Sequence, residues 1–173
     1  MLVFVASCIT VGAVGIVIIL TLRTLKKTDT NFPTKKKELL RLYNSANREI
    51  HIITDLDNRF FGDQEVINSL KNAAERAVEI KILTDPEGDK INQIPILKEL
   101  ADTGLIDVKE AKETFESRKV HHTMVIDRRA ARLETYHRPK KFGEGEGIGA
   151  IYRIPRVALF AEHKFEKEWK ELV

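Results

Sequence analysis

The spacing of apolar residues changes several times along the chain. The first stretch has no period at all. "LVFVASCITVGAVGIVIILTL", Leu2 to Leu22, carries no charge and is long enough to cross about 30 Å of hydrocarbon as a helix. "KKTDTNFPT" follows as a short polar linker. Pro33 and Thr34 then mark a helix start, with Leu39, Leu40, Tyr43 and Ala46 on one face. "EIHIITDL" reads as a strand and "DNRFFG" as a loop. From Asp63, the residues Val66, Ile67, Leu70, Ala73, Ala74 and Ala77 recur at helical spacing. "VEIKILTD" is a second strand ending in the turn "PEGD", "IPILKELADTG" a helix closing at Gly104, and "LIDVKEA" a third strand. Strands alternating with helices imply a parallel sheet covered by helices. The pattern then shifts. "KVHHTMVID", "ARLETY" and "GIGAIYRI" read as consecutive strands, and "VALFAEHKFEKEWKEL" as an amphipathic helix whose Leu159, Phe160, Phe165, Trp169 and Leu172 are expected to pack on the sheet. The fold class is α/β.

Composition adds location. The chain has 173 residues, one of them a cysteine, Cys8, so no disulfide can form within it. Nothing basic but the amino terminus precedes the apolar run, which is longer than the core of a secretory signal, so it reads as a membrane anchor. Arg23, Lys26, Lys27 and then Lys35, Lys36 and Lys37 follow it. By the positive-inside bias the amino terminus lies outside and the carboxyl domain in the cytoplasm. The lysines at 35–37 suit either a solvated first helical turn or anionic headgroups. The expected organisation is an anchor over 1–23, a basic juxtamembrane linker over 24–33 and one domain over 34–173. A net charge of +3 permits contact with phosphates without demanding it.

"VINSLKNAAERAVEIKILTDPEGD" resembles the helix–strand unit of the phospholipase D superfamily. "ILKELADTGLIDVK" resembles its next unit, "HHTMVID" falls where the signature strand follows, and "FEKEWKEL" resembles its terminal helix. The resemblance covers about the last two thirds of the chain. It implies a mixed sheet with helices on both faces. One unit per chain behind a membrane helix is also similar to single-motif members of the superfamily, nucleases and phosphodiesterases that pair two chains to build one site.

The motif this resemblance implies is H-x-K-x-x-x-x-D. Its histidine attacks phosphorus, and its lysine neutralises the phosphoryl oxygens as charge builds. Aligned on Asp127 without gaps, the histidine position falls on Val120 and the lysine position on His122. A one-residue bulge would put His121 at the nucleophile position, with Thr123 in place of the lysine. A neutral hydroxyl cannot stand in for an ammonium facing a phosphate, so catalysis by this route is not expected. The candidate catalytic residues, should the activity persist, are His121, His122 and Asp127. The plainer reading makes the stretch a core strand, with His122 buried on the face of Met124 and Ile126, and Asp127 a turn residue.

"YHRPKKFGEGEGIG" gathers Arg138, Lys140 and Lys141 beside His137 ahead of four glycines. It lacks the Gly-Lys-Ser or Gly-Lys-Thr ending of a P-loop, and Glu144 and Glu146 would repel phosphate. It reads as a loop between strands or, functionally, as a contact for phosphate of nucleic acid or anionic lipid. Asp55 and Asp57 end a parallel strand, where α/β sheets place ligands, and turn formation explains them equally well. The histidines show no metal-ligand spacing. No cofactor or metal is expected. The expected partners are the bilayer, a second copy of the chain, and a phosphate-bearing ligand.

Overall fold

A computed structural model describes residues 25–28, 32–86, 90–112, 122–134 and 149–172. The Leu2 to Leu22 stretch, His121, Arg138, Lys140 and Lys141 lie outside them. Among the described residues, no helix is long and apolar enough to cross a membrane.

The chain forms a seven-stranded sheet. Strand β1 is Leu25–Thr28, β2 Glu49–Thr54, β3 Glu79–Thr84, β4 Asp107–Glu110, β5 His122–Ile126, β6 Ala130–Glu134 and β7 Gly149–Tyr152. The spatial order is β1-β7-β6-β5-β2-β3-β4. The strands β2, β3 and β4 run parallel. Strand β5 joins β2 antiparallel, and β6, β7 and β1 continue antiparallel from it. The helices are α1 (Phe32–Ser45), the short α2 (Asn58–Phe61), α3 (Gln64–Glu75), α4 (Pro95–Asp102) and α5 (Pro155–Lys170).

Local chemistry sets the helix ends. The Asp63 carboxylate accepts the Glu65 and Val66 N–H groups and so caps α3. Pro95 and Pro155 open α4 and α5, where a missing N–H costs nothing. Gly104, just beyond α4, takes φ 71°, a left-handed conformation that glycine adopts without strain.

The two faces of the sheet are buried by different helices. On one face Ile50, Ile52, Ile80, Ile82, Met124 and Ile126 meet Tyr43, Ile67, Leu70 and Leu97 from α1, α3 and α4. On the other, α5 crosses the sheet. Its Ala158 and Ala161 lie on Val125 and Ala131, and its Phe165 and Trp169 on Ile53 and Leu83.

Three expectations are corrected. Leu25–Thr28, expected in the linker, pairs with β7 as an edge strand, so the folded unit begins ahead of residue 34. Backbone pairing needs no apolar pattern, so a polar edge strand leaves little trace. The alternate residues of β5 were not expected to face a core, yet Val125 is fully buried because α5 covers that face. Leu159 and Phe160 are exposed, at 50% and 74%, because the inward face of α5 follows Ala158, Ala161, Phe165 and Trp169.

Candidate functional site

The carboxyl ends of the parallel strands form one edge of the sheet. Strand β2 ends there at Thr54 and Asp55, and β5, antiparallel to it, begins there at His122. His122 Nδ1 lies 3.9 Å from Asp55 Oδ1, with the histidine side chain 21% exposed. This corrects the expectation of a buried His122: the residue stands at the end of its strand, above the buried Met124 and Ile126 of the same face. Asp55 and Asp57 also serve turns. Asp55 accepts the Asp57 N–H at 3.2 Å, and Asp57 caps α2 through the Arg59 N–H at 2.9 Å.

Glu134, at the end of β6, is the cross-strand partner of His122. It is buried and pairs with Arg132 at 2.6 Å and with Lys35 of α1. Burial alone would push its carboxyl up, but the Arg132 charge and the Lys35 ammonium outweigh that and hold it down at about 2. Tyr43 stands nearby, fully buried, with a hydroxyl that has no hydrogen-bond partner and a pKa that burial pushes up. Lys35, read from the sequence as a solvated helical turn or a headgroup contact, pairs with Glu134 instead, and Arg132 and Glu134 were not singled out there. Their register with His122 exists only once β5 and β6 pair.

Asp127 is remote from this edge. It lies five positions along the extended strand from His122, about 17 Å. It occupies the β5–β6 turn, where Asp127 and Arg128 take φ 51° and 55° and the Arg129 N–H bonds the Ile126 carbonyl at 2.9 Å. Its carboxylate accepts the backbone N–H groups of Asn47, Arg48 and Glu49 at 3.0, 2.8 and 3.1 Å. Burial pushes its carboxyl up, and these N–H groups together hold it below the ordinary aspartate value. Its reading as a turn residue agrees with this geometry, and it also ties the start of β2 to the end of β5. Thr123 points to the α5 face with Val125, away from His122. Of the expected site residues, the structure therefore places His122 at the edge formed by the carboxyl ends of the parallel strands and Asp127 at the opposite end.

A second polar cluster lies under α5. His51 of β2 is 1% exposed. Its Nδ1 donates to Glu162 Oε2 at 2.8 Å, and its ring stacks on Phe165 with centroids 4.6 Å apart. Glu49 meets Arg128 Nε at 2.8 Å, and Glu79 meets Lys81 at 2.9 Å. Sequence reading passed over His51 because its partners come from elements more than a hundred residues away. The i, i+4 pair Glu162 and Glu166 was the available signal.

Neither a protein-family model nor a curated protein sequence matches the chain. Solved structures do. NucT from Helicobacter pylori aligns with TM-score 0.64 at 16% identity, over 86% of this chain and 98% of its own. Nuc from Salmonella typhimurium, a phospholipase D family member, aligns with TM-score 0.60 at 14% identity, over 84% and 93%. TrmBL2, an archaeal chromatin protein with a novel mode of DNA binding, aligns with TM-score 0.60 at 16% identity over 85% of this chain. The chain spans about half of TrmBL2, 52%, and nearly all of Nuc and NucT. The fold is phospholipase D-like.

Proposed function

We propose that this is a phospholipase D-like domain that has lost phosphoryl transfer and retains a binding, sensing or scaffolding role for phosphate-bearing ligands. The observation that carries the reading is the charge arrangement beside His122. Lys35 and Arg132 both pair with the buried Glu134, so neither presents its full charge to a phosphoryl group. His122 itself occupies the lysine position of the expected motif, facing Asp55. A transition state with charge building on phosphoryl oxygens would meet carboxylates where it needs a cation. Arg138, Lys140 and Lys141, which follow β6 in the sequence, are the proposed phosphate contacts. The apolar Leu2 to Leu22 stretch is the proposed membrane anchor, with the domain on the cytoplasmic side. The bilayer and a second copy of the chain are the proposed partners.

The runner-up is a membrane-anchored, dimeric phosphodiesterase or nuclease using His121 or His122. The His122–Asp55 pair at the edge formed by the carboxyl ends of the parallel strands favours it. The two readings separate in one experiment: turnover of single-stranded DNA, RNA and phosphodiester lipid by the full chain, beside His121→Ala and His122→Ala. No turnover with salt-sensitive binding supports the first reading. Turnover abolished by either substitution overturns it.

A further inference from the structure

The cluster under α5 has the makings of a cation site. One ligand atom each from His51, Glu162 and Glu166 lie within 4.8 Å of one another. Glu162 and Glu166 stand one turn apart on α5 and face the same way. A second set, Glu49, His51 and Glu79, shares the histidine. The two sets differ in how firmly their carboxylates are already held. Glu49 and Glu79 make close ion pairs, at 2.8 and 2.9 Å. Glu166 is held loosely, 3.8 Å from Lys81 and 3.6 Å from the exposed Lys170.

Orphaned polar atoms point the same way. Glu162 is 5% exposed, and its Oε1 has no hydrogen-bond partner. The nearest cation to that oxygen is Arg128 Nε, at 3.6 Å. His51 Nε2 is likewise buried and without a partner. Buried carboxylate oxygens ordinarily meet donors or a metal ion. Around His51, the four carboxylates of Glu49, Glu79, Glu162 and Glu166 face three cations, Arg128, Lys81 and Lys170. The cluster keeps an excess of negative charge that a bound cation would offset.

The geometry points to a zinc-class divalent cation site formed by His51, Glu162 and Glu166. One imidazole nitrogen with two carboxylates suits a borderline-soft ion with few ligands, rather than calcium or magnesium with their larger oxygen shells. The site lies across the sheet from His122 and does not depend on any phosphate chemistry there. The ion would reinforce the join between α5 and β2, which apolar packing and the His51–Glu162 hydrogen bond already make.

The test uses the full chain in detergent, stripped by chelator dialysis. Zinc is titrated against a competing indicator, and cobalt is added in parallel for its visible absorption. The expected result is one zinc per chain, a zinc-dependent rise in melting temperature, and the intense bands of four-coordinate cobalt. Glu166→Gln should weaken zinc by about tenfold or more, erase the cobalt bands and leave the metal-free melting temperature unchanged. His51→Gln should do the same to zinc, and if it fails to fold, the half-buried Glu166→Gln decides alone. The absence of stoichiometric binding, or binding unchanged in Glu166→Gln, would overturn the site.

Discussion

Asp127 Oδ1 lies 2.8 Å from the backbone nitrogen of Arg48, a residue 79 positions earlier in the chain. That carboxylate replaces ladder bonds at the entry to β2 and offsets the left-handed backbone of its own turn. Asp127→Ala should therefore cost about 1–3 kcal/mol, because three backbone donors lose their acceptor. Urea unfolding measures it. A midpoint equal to wild type would show that water replaces the carboxylate without loss.

Trp169→Ala should cost about 3 kcal/mol or more in the same assay, since the ring is buried against Phe165 and the ends of β2 and β3. Phe160→Ala, three-quarters exposed on the outer side of α5, should change the midpoint by less than about 0.5 kcal/mol. The pair tests the orientation of the helix. Equal costs would mean that α5 is rotated from the arrangement described.

Glu134 makes acid stability a local readout. Its folded value of about 2 lies below the ordinary 4.5. A depressed carboxylate contributes stability that is fully present above the unfolded value and lost as pH falls through the folded one. Melting temperature should thus fall between about pH 4.5 and pH 2 more steeply in wild type than in Glu134→Gln. That variant also releases Lys35 and Arg132, so it should bind phosphate-bearing ligands more tightly. Parallel acid profiles would remove Glu134 from the account.

Binding should weaken as salt rises. Replacing Arg138, Lys140 and Lys141 together with alanine should lower the slope of log affinity against log salt by about 2 for single-stranded nucleic acid, if each lysine or arginine neutralises one phosphate. An unchanged slope would place the phosphate contacts elsewhere.

Carbonate washing should leave the full chain in membranes, as expected of an uncharged stretch from Leu2 to Leu22 followed by lysines. Release into the wash would defeat the anchor.

The central strands were legible because isoleucine-rich runs such as "EIHIIT" have no other stable use, and α3 and α4 because their apolar spacing is strict. The β1 edge was hidden, since "LKKT" carries no alternating apolar pattern and its backbone pairing with β7 needs none. The outward turn of Leu159 and Phe160 was hidden too. Small residues, Ala158 and Ala161, line the inward face of α5, and sequence reading favours the larger side chains. At the proposed site, "VHHTMVID" shows that no lysine stands two positions after either histidine. The engagement of Lys35 and Arg132 by Glu134 was not, because it depends on cross-strand register and on α1 lying over that edge.

The crossing of α5 also has a consequence for synthesis. His51 meets Glu162 across 111 residues, and Ile53, Leu83 and Val125 are packed against α5, which is made long after them. During translation at about 5–20 residues per second, β2 therefore waits roughly 5–20 seconds for its lid. For that interval a nascent chain exposes an aliphatic stripe and a buried-to-be histidine. A ribosome stalled before Pro155 would hold a half-covered sheet, the form most open to chaperone capture.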